Sequence, residues 1–193
     1  DVCSSDLSLA VSVHAAHQPD RGEMFELQQF IEGFRIAELA WGTARASPVA
    51  LSFWVKATAA GTYNVTLVNA AYTRSRLAAF RINRADTWEQ KSVLVPGDGE
   101  GGAGAWHAGK GNALILSFNL GAGDAYSGTA DREWRSGFFR QSSADAIALV
   151  GKKAASFQLT AVQLERSDRP TEFERRDDAT ELALVAAYAR PTS

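Results

Sequence analysis

The stretch that most constrains this chain is its last regular one, residues 156–165 (SFQLTAVQLE). Phe157 and Leu159 point one way and Gln158 and Thr160 the other, the period-two alternation of a half-buried β-strand. At Thr160 and Ala161 the parity slips by one residue, so that Val162 and Leu164 carry the apolar face onward. A slip of this kind inside a strand is what a β-bulge produces. A strand so late in a chain of 193 residues needs partners made earlier, and several of the same type precede it.

Residues 8–13 alternate Leu9, Val11 and Val13 against Ser8, Ala10 and Ser12, which predicts a first strand. Phe25, Leu27 and Ile31 predict a second, closed by Gly33. Residues 34–42 carry Ala and Leu without alternation and read as a short helical turn or ordered loop ending at Gly42. Regular strands follow, with Val49, Leu51, Phe53 and Val55 on one face and Tyr63, Val65 and Leu67 on the next. Residues 77–83 and 88–95 come after them, with Trp88 expected in the core, and Pro96 and Gly97 end the last of these. Residues 113–120 place Leu114, Leu116, Phe118 and Leu120 on one face, and residues 147–150 predict a short strand before the closing one. Short strands at turn-punctuated spacing predict an all-β antiparallel sandwich.

Two stretches break the pattern. Residues 99–111 are Gly-rich and read as a mobile surface loop; no Gly-Lys-Ser/Thr follows to make them a phosphate cradle. Residues 121–143 form a long excursion with Tyr126, Trp134, Phe138 and Phe139, and loops of that length in a compact domain are functional or disordered. Residues 180–190 have helix-forming composition, with Thr180 as cap and Pro191 as stop.

Lys plus Arg number 20 and Asp plus Glu 22, a formal net charge of −2, which supplies no electrostatic reason to expect nucleic acid or an anionic membrane as partner. No apolar run is long enough to insert in a bilayer. The single cysteine, Cys3, excludes an internal disulfide framework and a cysteine-based zinc site. Residues 1–7 (DVCSSDL) look like the translation of a short-read sequencing adapter at the edge of a metagenomic reading frame, and are set aside from fold reasoning. His14 and His17 have no third ligand nearby and read as solvated loop rather than metal site.

Taken in order, residues 31–43 (IEGFRIAELAWGT), 51–57 (LSFWVKA), 87–89 (TWE), 95–98 (VPGD), 157–165, 173–176 (FERR) and 181–184 (ELAL) resemble the C-terminal carbohydrate-binding-like jelly-roll domain of phage and prophage tail proteins, including tail fibres. Each motif is weak singly; their order and spacing carry the resemblance. It implies a jelly-roll β-sandwich of galactose-binding-like type over residues 8–176, with a short C-terminal helical tail over 177–193. It also implies a homotrimeric virion tail appendage that attaches to a bacterial surface polysaccharide and brings no catalytic residues. The chain departs from the family where Asp177, Asp178 and Ala179 replace Pro-Tyr-Gly, and where residues 185–188 (VAAY) replace the Cys-Gln-Arg-Tyr-Tyr ending.

Sugar binding by such a sandwich needs flat aromatic faces flanked by hydrogen-bonding side chains. Trp54 meets this on a strand, beside Ser52 and Lys56, against the alternative that it packs under a loop. Trp41, Trp106, Tyr126 and Trp134 lie in loops. Tyr126 and Trp134 share the long excursion with Asp124, Asp131, Arg132 and Arg135, the best pairing of platform and polar partners, against burial as loop anchors. The ligand-binding set expected is therefore Trp134, Tyr126, Asp124, Asp131, Arg132 and Trp54. A structural fibre or oligomerisation module without its own ligand ranks next. A polysaccharide depolymerase using Asp124 with Asp131 or Glu133 ranks last, since acidic residues in Gly-rich loops are usually solvated. No cofactor is expected. A structural calcium, common in jelly-roll carbohydrate modules, needs several oxygen ligands that the sequence does not single out.

Overall fold

The structure is a computed structural model, and residues 7–128, 133–137 and 142–174 of it are described. The strands are β1 (Leu9–Ser12), β2 (Met24–Glu32), β3 (Val49–Ala57), β4 (Gly61–Asn69), β5 (Arg74–Ile82), β6 (Glu89–Val95), β7 (Asn112–Ala122), the short β8 (Ser127–Gly128), β9 (Arg135–Ser136) and β10 (Ser142–Ser143), and β11 (Ser156–Glu165). A four-residue helix, α1 (Gly33–Ile36), runs into a 3-10 turn over Ala37–Leu39. One main sheet has the order β1-β11-β3-β6 and the other β2-β7-β4-β5-β9, each antiparallel throughout, and β10 and β8 form a small parallel pair. Apart from the β4–β5 hairpin, the long strands alternate between the two sheets in chain order, and the architecture is a jelly-roll β-sandwich. The C-terminal tail expected over 177–193 lies outside the described residues. Among those that are described, no helix is long and apolar enough to cross a membrane.

Alternation places the core as expected. Val49, Leu51, Phe53 and Val55 of β3, Leu114, Leu116 and Phe118 of β7, and Phe157 and Leu159 of β11 are all buried. Phe53 of one sheet packs edge-on against Phe80 and Phe118 of the other, with ring centroids 4.9 and 5.0 Å away. Tyr63 stacks on Phe80 at 5.9 Å and gives its hydroxyl to the Ala59 carbonyl. Burial pushes the Tyr63 phenol up to about 12.

The bulge in β11 falls where the parity slips. Thr160 pairs with Trp54 and Gln163 with Ser52, so Ala161 and Val162 together oppose Phe53, and Ala161 takes a left-handed φ of 50°. Leu164 returns to the inner face opposite Leu51. Val162 does not. It stays 39% exposed, at the mouth of a cleft of about 580 Å³ between β11 and β2. Leu7, at the edge of the stretch set aside as adapter-like, accepts a hydrogen bond from Thr160 Oγ1 through its carbonyl.

Three expectations need correction. Residues 147–150 do not form a strand: β4 is flanked on both sides by β5 and β7, so only a single bridge from Thr62 to Ala146 forms, and the chain turns through Leu149–Gly151 as a 3-10 helix. The Gly-rich 99–111 segment is not a loose surface loop. Trp106 within it is buried, and Gly111 accepts the Gly33 N–H through its carbonyl. A Cβ at Gly33 would collide with the His107 carbonyl, so a side chain there would push this loop away. Trp88, expected inside, lies half-buried outside the hydrophobic core cluster.

Glu89 ties the turn before β6. Its carboxylate accepts the backbone N–H of Asn83 and Arg84 and pairs with Lys91 Nζ at 2.5 Å. Burial alone would raise its pKa, but these hydrogen bonds outweigh burial and hold it down to about 2. A depressed carboxylate contributes stability above its ordinary range, and that stability is lost as pH falls through the folded value. Urea titrations between pH 5 and about 2 should therefore show a shallower acid loss for Glu89→Gln than for the parent, with lower stability at neutral pH. Parallel curves would remove Glu89 from the acid response. In the same assay at pH 7, Phe118→Ala should cost about 3–5 kcal/mol, the loss for truncating a buried ring; a loss near zero would contradict its place between the sheets.

Candidate functional site

The strands that bury Phe53 and Val55 turn Ser52, Trp54 and Lys56 to the opposite side. Register then decides who joins them. Thr160 of β11 and Gln90 of β6 flank Trp54, and Gln158 flanks Lys56. Continuing the β3–β6 register by one residue past Glu89, which pairs with Val55, brings Trp88 beside Lys56 on the same face. Lys56 Nζ lies over the Trp88 ring, 5.2 Å from its centroid. The outer face of the four-stranded sheet thus carries two half-buried indoles, Trp54 and Trp88, set among Lys56, Gln90, Gln158 and Thr160. Among the described residues Trp54 makes no hydrogen bond and no ring contact, so its indole N–H and ring face are uncommitted.

The other tryptophans are arranged in the opposite way. Trp41, Trp106 and Trp134 meet edge to face at one end of the sandwich, with centroids 4.7, 5.2 and 5.5 Å apart. Each indole N–H is used: Trp41 donates to the Ser47 carbonyl, Trp106 to Asp98 Oδ2 and Trp134 to the Pro96 carbonyl. Asp98 is fully buried and binds Arg74 through both oxygens, at 2.8 and 2.5 Å. Trp134 is therefore packed into a structural cluster.

The structure does not bring Trp134 and Tyr126 together. Residues 135–136 pair with Arg74 and Ser75 at one end of β5. Tyr126 lies beyond the opposite end of the sheet, its carbonyl accepting the Ser142 N–H while Ser143 N–H binds Asn64 near the start of β4. Asp124 is exposed on the turn after β7. Asp131 and Arg132 lie outside the described residues. His17, weighed above as a metal ligand, is bound to Glu23 at 2.6 Å. Among the described residues no three or more His, Cys, Asp and Glu side chains gather as a metal site.

The outer face of the five-stranded sheet is polar too, but closed. Glu26 lies opposite Asn119, and Ser117 opposite Thr66. Asn64, Thr66, Ser117 and Asn119 are all buried. Among the described residues, Asn64 Nδ2, Thr66 Oγ1, both amide atoms of Asn119 and Glu26 Oε2 find no hydrogen-bond partner. Burial raises the Glu26 carboxyl, against hydrogen bonds from Ser117 and Gln28 that lower it. These groups are shut away from solvent, whereas Trp54 and Trp88 are open to it.

Sequence reasoning had singled out Trp54 but missed Trp88, Gln90, Gln158 and Thr160. The alternation in residues 88–95 was visible; the pairing of that strand with β3, which puts Trp88 beside Lys56, was not.

Among solved structures, the chain is similar to one described as "CBM4 structure and function", with 14% identity over 86% of this chain and 87% of that one and a TM-score of 0.40. It is also similar to "EclA C-terminal domain; sugar-binding protein", with 11% identity over 85% and 81% of the two chains and a TM-score of 0.36. No family model and no curated protein matches the chain.

Because its ring is packed and its N–H is used, Trp134 should behave as an anchor. Trp134→Ala is expected to cost about 3–5 kcal/mol by urea titration. A variant as stable as the parent would return Trp134 to the list of surface residues.

Proposed function

We propose that this protein is a non-catalytic glycan-binding domain whose platform is the outer face of the four-stranded sheet. The observation that carries this is Trp54, an indole held on a strand outside the core cluster with ring and N–H uncommitted among the described residues, and with Trp88 against the next outward side chain of that strand, Lys56. A pyranose ring presents C–H groups on its face and hydroxyls at its rim. An indole covers the first, and Gln90 and Gln158 can exchange hydrogen bonds with the second. Trp54 sits on a strand and Trp88 immediately precedes one, so little ordering entropy is left to offset on binding.

We further propose that the domain belongs to a phage or prophage tail fibre, is displayed on the virion, and attaches it to a bacterial surface polysaccharide. The motif series from residue 31 to residue 184 supports this. The alternative, a fibre module that assembles copies of the chain as a homotrimer without a ligand of its own, is favoured by a different feature. Leu9, Phe30 and Val162 line the cleft between β11 and β2, at 56%, 45% and 39% exposure, an apolar surface of the kind subunits cover.

Trp54→Ala separates the two. On a glycan array, the substitution should abolish binding while the melting temperature stays within about 2 °C of the parent, as expected for a surface change. Full-strength binding by a folded Trp54→Ala protein would exclude the platform.

A further inference from the structure

We propose that the Trp54–Trp88 platform takes an acidic saccharide, a sugar bearing a carboxylate on its ring, with Lys56 as the ion-pair partner. This rests on the platform being the glycan site and adds the class of sugar it accepts. Lys56 is the one charged side chain among the outer-face positions around Trp54: Ser52 on the same strand, Gln158 and Thr160 on β11, and Gln90 and Ser92 on β6 are all uncharged. Among the described residues Lys56 has no carboxylate within ion-pair distance, and its single interaction is with the Trp88 ring. The acidic residues of the adjoining turn and strand, Asp86 and Glu89, form no ion pair with it. Glu89 is bound to Lys91 and to the Asn83 and Arg84 N–H groups. Asp86 anchors its turn through its N–H to the Ala57 carbonyl and makes no ion pair with Lys56.

The geometry suits a uronate-type residue. Trp54 and Lys56 are two residues apart on one face of a strand, about 6.6 Å along its axis. A pyranose stacked on Trp54 projects its ring carboxylate at the rim, and Lys56 is the cation on the same face of the strand for it to meet. Cation–π contact with Trp88 restrains that ammonium at the edge of the platform before any ligand arrives, which lowers the cost of ordering a long side chain. A neutral sugar would stack equally well but leave the cation without a counter-charge. A positively charged sugar would be repelled.

The test is an array of uronate-containing, other acidic, and neutral oligosaccharides, followed by titration of galacturonate oligomers against the same oligomers with their carboxyls methyl-esterified. Esterification keeps the ring and removes the charge. The parent should bind acidic members best and prefer the free acid by about two- to fivefold, the size of a half-exposed ion pair. Added salt should shrink that preference. Lys56→Met, which keeps the apolar stem, should bind acid and ester alike at an unchanged melting temperature, and Lys56→Arg should restore the preference. Equal binding of acid and ester by the parent, or a preference that survives Lys56→Met, would overturn the proposal while leaving the platform intact. Binding of no saccharide of either kind would overturn the platform, and the acidic-sugar assignment with it.

Discussion

Among the described residues no backbone ladder joins the two main sheets of this sandwich; side chains hold them face to face, with the interlock of Phe53 with Phe80 and Phe118 at the centre. Hydrogen bonds order strands within a sheet, but the relation between sheets is set by how side chains fill the space between them. Phe53 stands near the centre of β3, so fixing its ring inward fixes the parity of the strand. Trp54 must then face out. The surface platform is thus a consequence of the core, one residue removed from it, and its indole inherits the rigidity of the strand that carries it.

The bulge at Ala161 and Val162 belongs to the same constraint. It sits opposite Phe53 and lets β11 offer Leu159 before it and Leu164 after it to the interior. The extra residue has to go somewhere, and Val162 is left at the cleft mouth beside the edge strand β2. One insertion therefore keeps the core continuous and leaves Val162 at the cleft on the sandwich edge.

Polar groups divide the molecule into regions with different chemistry. At one end, Arg74 and Asp98 form a buried bidentate pair. Burying two charges is costly unless every lone pair and N–H finds a partner, and here Trp106 and the Glu100 N–H complete the Asp98 shell. That hub positions the three-tryptophan cluster, whose indole N–H groups are all spent on the fold. On the closed face of the five-stranded sheet, Asn64, Thr66 and Asn119 hold buried polar atoms that find no partner among the described residues. The face around Trp54 combines a packed core beneath with open hydrogen-bonding groups above.

Much of this was legible in the order of residues. Period-two alternation determined which side chains of β3, β7 and β11 are buried, and the parity slip located the bulge, because both depend only on local backbone geometry. Alternation also put Trp54 on the side away from Phe53. It could not say which strand would lie next to β3, and so it could not bring Trp88 out of the core or set Gln90 and Gln158 beside Trp54. Nor could it distinguish a loop tryptophan with a free indole from Trp134, whose fate depends on Trp41 and Trp106, residues far away in the chain. Residues 99–111 looked mobile because glycine composition reports what a backbone can do, while the Asp98 hub decides what it does. Strand identity is written in neighbours along the chain; the site is made by neighbours across the sheet, and strand pairing over long sequence separations is decided only when the core closes.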